Sequence, residues 1–132
     1  MHADGRWHSQ GHPIVYCASS ESLAVLELRV HIGSFLPHDR YTMHEIGIID
    51  TLIEHYDPAL LPEGWDAVPH SSISQTLGDT WLIKMESPAL RIPSIHSRTE
   101  HNVLINPAHS LASSFLIQKT WTYQFDSRMF SS

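Results

Sequence analysis

Ser19-Ser20-Glu21-Ser22-Leu23-Ala24-Val25-Leu26-Glu27-Leu28-Arg29-Val30-His31 is the stretch that organises the chain. Leu23, Leu26 and Val30 recur at three- and four-residue steps, the spacing of a helix that turns one apolar stripe toward a core. Ser19 and Ser20 offer hydroxyls to cap its first turn, and Gly33 and Pro37 end it. One residue breaks the pattern. Glu27 falls inside the stripe, four after Leu23 and three before Val30, while Ser22 and Arg29 set the polar direction on the other side. A carboxylate aimed at a core is costly unless it is paired or put to use. Pairing with Arg29 is the plain alternative, and the angle between the two side chains argues against it.

On either side of this helix the pattern changes to strands. Ile14-Val15-Tyr16-Cys17 reads as a short buried strand, and Tyr41 to Ile49 as a second. Asp57 to Trp65 is a proline-rich loop. Ser71 or Ser72 caps a second helix running through Ile73, Leu77, Trp81 and Lys84 and closed by Ser87-Pro88, with Gly78 as its weak point. Ala89 to Pro93 forms a third strand that ends at Ser94, and Asn102 to Pro107 a short one that runs into a turn. Phe115, Ile117, Trp121, Tyr123 and Phe125 alternate with polar residues, which predicts a long half-buried strand. Helices and strands intermix without regular βαβ units. The expectation is one α+β domain over residues 1–132 with a mixed or mainly antiparallel sheet.

Composition narrows the function classes. The chain has 132 residues, enough for one domain with a real core. A formal net charge of −6, with two lysines and scattered arginines, argues against direct binding to nucleic acid, which needs clustered cations. A single cysteine, Cys17, excludes an internal disulfide and a cysteine-rich zinc site. Nothing at the start resembles a signal peptide, and no apolar run has the length of a membrane span, so a cytoplasmic setting is expected. The eleven histidines include no pair at ligand spacing, and no metal is expected.

Four further residues stand beside Glu27. Arg6, in the loop Gly5-Arg6-Trp7, has the planar fork that takes a phosphate or carboxylate through two bonds; stacked on Trp7 it would be an ordinary loop arginine. Tyr16 either meets a backbone group or stacks on a flat heterocycle. Ser94, at a strand end, either starts a turn or rims a site. Asn102 and Asn106 either fix turns or offer amides to a ligand.

The order of these segments resembles a known family. Gly5-Arg6-Trp7, Pro13-Ile14-Val15-Tyr16, Leu23-Ala24-Val25-Leu26-Glu27, Ile92-Pro93-Ser94 and Asn102-Val103-Leu104-Ile105-Asn106-Pro107-Ala108-His109 follow one another as in the RES domain, the toxin half of Xre–RES toxin–antitoxin pairs in bacteria. Each motif is weak alone, and five in order are fairly specific. The resemblance runs from Gly5 to about Phe125. It implies a compact fold related to ADP-ribosyltransferases. It also implies attack on NAD⁺, as substrate and not as cofactor, at the nicotinamide–ribose bond, with water, phosphate or a protein as acceptor. Arg6, Tyr16, Glu27 and Ser94 match the family's active-site positions, and Arg6, Trp7, Tyr16, Ser94 and Asn102 would contact NAD⁺. The implied partner is a cognate Xre-type antitoxin, which touches DNA in the toxin's place, and a toxin homodimer within that complex is compatible with it. Family members usually carry a strand ahead of the Gly-Arg-Trp loop, which is missing here. Asn commonly follows the Trp, where this chain has His8.

Overall fold

In a computed structural model, which describes residues 5–9, 11–33 and 40–130, two helices and six strands are seen. The order is β1 (Val15–Ala18), α1 (Glu21–Ile32), β2 (Tyr41–Gly47), β3 (Ile53–His55), α2 (Ser72–Lys84), β4 (Ala89–Ser94), β5 (Ser97–Ile105) and β6 (Leu116–Tyr123). Four strands form one sheet in the order β1-β5-β4-β3, antiparallel except for the β3–β4 pair, and β2 and β6 form a separate antiparallel ribbon. The α+β expectation holds.

The core lies on one face of the larger sheet. Leu90 stands opposite Leu104 and Ile92 opposite Asn102, so these four share a face. Trp7, Trp81 and Leu82 pack on it, with Leu77 and Trp65 at its margin. Helix α2 supplies Trp81 and Leu82. Ser71 caps it by accepting the Ile73 N–H, and Met85 ends it in the left-handed region. Gly78, the weak point by propensity, is needed in space. The backbone of the Gly5–Ser9 loop runs against it so closely that an added Cβ would overlap the Trp7 carbonyl oxygen.

Several sequence expectations need correction. β1 is not buried; it is an edge strand, and Val15 and Tyr16 are largely exposed. On α1 only Leu23 is buried, while Leu26 and Val30 are 43% and 54% exposed. Periodicity reports a face of the helix but not how far the sheet beneath it reaches. β6 is not the half-buried strand expected: it pairs only with β2, its exposure does not alternate, and Leu116, Ile117 and Trp121 stay exposed. Burial resumes just beyond it, where Phe125 meets Tyr41, Tyr123 and Phe130 edge to face. Strand β3 was not anticipated, because three residues are too few to show alternation. β5 begins at Ser97, well before the expected Asn102. Pro37, expected to help end α1, lies outside the described residues; Gly33, at φ 87°, does end it.

Candidate active site

Glu27 sits where α1 crosses the end of the sheet. The helix is started by Ser20, whose hydroxyl accepts the Leu23 N–H at 3.2 Å, and buried Leu23 anchors its first turn. One turn later Glu27 points the same way. Its Oε1 accepts from Asn102 Nδ2 at 2.9 Å and its Oε2 from Ser94 Oγ at 3.3 Å. Both donors are neutral, and no described cation pairs with the carboxylate. Arg29 turns away, as its angle on the helix requires. It donates to the carbonyls of Met129 and Gly33 and lies over the Phe130 ring, 4.1 Å from the centroid.

Asn102 and Ser94 are themselves held. Asn102 pairs with Ala18 across the β1–β5 ladder, and its Nδ2 also donates to the Cys17 carbonyl at 3.1 Å. Ser94 stands at an irregularity where β4 turns into β5, and its Oγ accepts the His96 N–H at 3.1 Å. Both are more than nine-tenths buried. Ser94 therefore begins a turn and also donates to Glu27. A carboxylate fixed at both oxygens by a backbone-anchored amide and hydroxyl is a preorganised anion.

The second group is the Gly5–Ser9 loop. Helix α2 holds its backbone along one face: Ser74 Oγ donates to the Arg6 carbonyl at 2.5 Å and Gln75 Nε2 to the Gly5 carbonyl at 3.0 Å. Asp79 accepts the Ser9 N–H at 2.9 Å. Arg6 Nη1 donates to the carbonyls of Trp65 at 3.0 Å and Ala67 at 2.8 Å, so it braces a neighbouring loop and does not lie on Trp7. Burial draws its guanidinium below the ordinary arginine range, while Asp66 and Tyr16 oppose that shift. Trp7, expected at the ligand, is 2% exposed and stacks on Trp65 at 5.8 Å. Its ring is core and offers no wall to a cleft.

Tyr16 is 42% exposed and shares the sheet face of Ala18, Leu104 and Asn102. Its hydroxyl accepts the Trp7 N–H at 3.1 Å and meets His8 Nδ1 at 2.6 Å. The phenol is fixed at its tip while its ring is open to solvent, which suits a stacking platform. His8 is the residue that sequence reasoning passed over; its place directly after Trp7 was the only signal. Trp65 ties the two groups together: its carbonyl receives Arg6, and it lines a cavity of about 450 Å³ beside Ser94. Asn106, the other amide considered, lies in a turn instead, donating to the Leu82 carbonyl and receiving the Ala108 N–H.

Burial pushes the half-buried Cys17 thiol up to about 11, which leaves it largely protonated and a weak nucleophile. Among the described residues no cluster of metal-ligating side chains is found, and no helix is long and apolar enough to cross a membrane.

A family model described as the RES domain matches residues 1–126. The Prs ADP-ribosylating toxin of Sphingobium sp. (strain YBL2) is 40% identical over 129 residues, covering 95% of this chain and 80% of that protein. The protein named Toxin Res in Pseudomonas putida is 37% identical over 133 residues, covering 98% of this chain and 88% of that protein. Toxin Res of Yersinia enterocolitica serotype O:8 / biotype 1B is 34% identical over 126 residues, with coverage of 95% and 83%. By this family match and these relatives, the chain belongs to the RES domain family of toxins, whose fold is ADP-ribosyltransferase-like.

Proposed function

We propose that the protein is a toxin that breaks the nicotinamide–ribose bond of NAD⁺, with Glu27 as the central catalytic group and water or phosphate as acceptor. The observation that carries this reading is the Glu27 carboxylate, held at both oxygens by Asn102 and Ser94 with no described cation to neutralise it. Cleavage of an N-glycosidic bond builds positive charge on the ribose, and a fixed anion beside that charge lowers the barrier without having to reorganise. The same carboxylate can hold a ribose hydroxyl or orient the acceptor. Tyr16 offers its open ring to the nicotinamide, and Arg6 contributes the remaining donors of its fork to the cleft wall it braces. Ser94 and Asn102 act first as the groups that aim Glu27.

A second reading is favoured by one finding: the Sphingobium relative bears the name of an ADP-ribosylating toxin. The acceptor would then be a protein side chain and the bond broken the same. Incubating the protein with NAD⁺ and measuring nicotinamide, with and without phosphate, tests the first reading. If NAD⁺ stays intact in the presence of folded, antitoxin-free protein, that reading is wrong. Labelled NAD⁺ in a lysate separates the two, since label retained on a protein band means transfer. The toxin reading brings with it a cognate antitoxin of the Xre type, cytoplasmic action and a complex in which the partner supplies the DNA contacts. The net charge of −6 is consistent with that division.

A further inference from the structure

We propose that the cavity beside Ser94 is a phosphate-binding subsite whose recognition group is Arg98. This rests on the reading of the chain as an NAD⁺-cleaving enzyme and names the part of the reaction mixture that the cavity takes. The cavity lies under the β4–β5 turn and is lined by Ser94, His96, Ser97, Arg98, Glu100 and Trp65. Its volume, about 450 Å³, falls in the range of small-ligand sites.

Three of the six arginines are already engaged. Arg6 braces two loop carbonyls, Arg29 holds two more and lies on Phe130, and Arg128 forms a forked pair with Asp126. Arg98 forms no hydrogen bond or ion pair with any described residue, and among the described residues it is the arginine that lines this cavity. Its fork is thus available for the bidentate contact that phosphate oxygens favour. Glu100 also lines the cavity and opposes an anion, yet one of its carboxylate oxygens is taken by the Ser19 hydroxyl, so it is not turned onto Arg98. Ser97 adds a donor: its oxygen accepts the Glu100 N–H, which leaves its hydroxyl hydrogen for a ligand.

Two sources present the same chemistry here, the pyrophosphate of the dinucleotide and an inorganic phosphate acceptor. Because Ser94 joins the cavity to Glu27, either would be delivered to the reacting ribose.

Calorimetric titration with ADP-ribose, and separately with inorganic phosphate, tests the subsite on the wild type, Arg98→Gln and Arg98→Lys. Arg98 is exposed, so the substitutions leave the fold standing, which a melting curve checks. Loss of a charge-assisted pair weakens binding about ten-fold or more in Arg98→Gln, and less in Arg98→Lys, which keeps the charge without the fork. Weakened ADP-ribose binding with phosphate unchanged identifies the pyrophosphate; weakened phosphate binding alone identifies the acceptor. Wild type and Arg98→Gln binding both ligands equally, or a wild type that binds neither, overturns the proposal. Nicotinamide release by the same proteins is scored separately. A wild type that binds through Arg98 yet leaves NAD⁺ intact refutes the catalytic reading and leaves the subsite in place.

Discussion

Gly78→Ala is expected to destabilise the protein although helix propensity says the opposite. In an exposed helix interior the change would stabilise by about 1 kcal/mol. Here the new methyl would sit on the Trp7 carbonyl oxygen, 2.6 Å from the carbonyl carbon and 3.1 Å from the Trp7 Cβ. The overlap with the carbonyl oxygen is the most severe, so loop and helix must separate by roughly one and a half ångströms, and what yields is backbone. That backbone is pinned on both sides of Trp7 by Ser74, Gln75 and Asp79, and its ring is stacked on Trp65. Overpacking of this kind costs about 3 kcal/mol, leaving a net loss of about 2 kcal/mol after the propensity gain. For a chain of this size that lowers the melting temperature by about 6 °C. The displaced loop carries Arg6 and the N–H that fixes Tyr16, so NAD⁺ turnover should fall as well. Differential scanning calorimetry beside a nicotinamide-release assay makes the check. A variant as stable as the wild type, or more so, would refute the claim that close approach to Trp7 is what requires glycine.

Asn102→Ala should lower NAD⁺ turnover by about 100-fold by freeing Glu27 from its aim. Asn102→Asp should lower it further, because a second carboxylate then faces Glu27 and repels it; turnover no lower than that of Asn102→Ala would count against this. His8→Ala should raise KM for NAD⁺ more than it lowers kcat, since it loosens the tip of the Tyr16 phenol and leaves Glu27 alone; an unchanged KM contradicts it. The Cys17 thiol, raised by burial, stabilises the fold fully below about pH 9. That contribution of about 2–3 kcal/mol should be lost between pH 9 and 11, as the unfolded chain ionises its thiol first. Urea midpoints across that range should fall more steeply for the wild type than for Cys17→Ala, and equal slopes would contradict this.

Local signals in the sequence were strong enough for the helices. Ser20 and Ser71 cap where hydroxyls precede apolar periodicity, and Gly33 and the Ser87-Pro88 pair stand where the helices have ended. The position of Glu27 was legible for the same reason, since a helical stripe with one charge in it is a local pattern. What the pattern could not report is the neighbourhood. Leu26 and Val30 obey the period yet overhang the sheet, and β6 alternates with little of the sheet to bury its apolar side, because burial depends on strand order. Trp7 and His8 illustrate the same limit at the site. The family pattern places Trp7 near the ligand, but Gly78 draws the loop onto α2 and turns the indole into the core. His8, with no motif of its own, is left holding Tyr16. Gly78 was read as a flaw in a helix, since a requirement set by a loop more than sixty residues away has no local trace.

Glu27→Gln puts the central claim to its most direct test. The amide keeps the size of the side chain and removes the charge, so the melting temperature should stay within a few degrees of the wild type. Nicotinamide release from NAD⁺ should fall by about 1,000-fold or more if a fixed anion carries the transition state. Retained activity in a folded Glu27→Gln protein, or a wild type that releases no nicotinamide, would contradict the account.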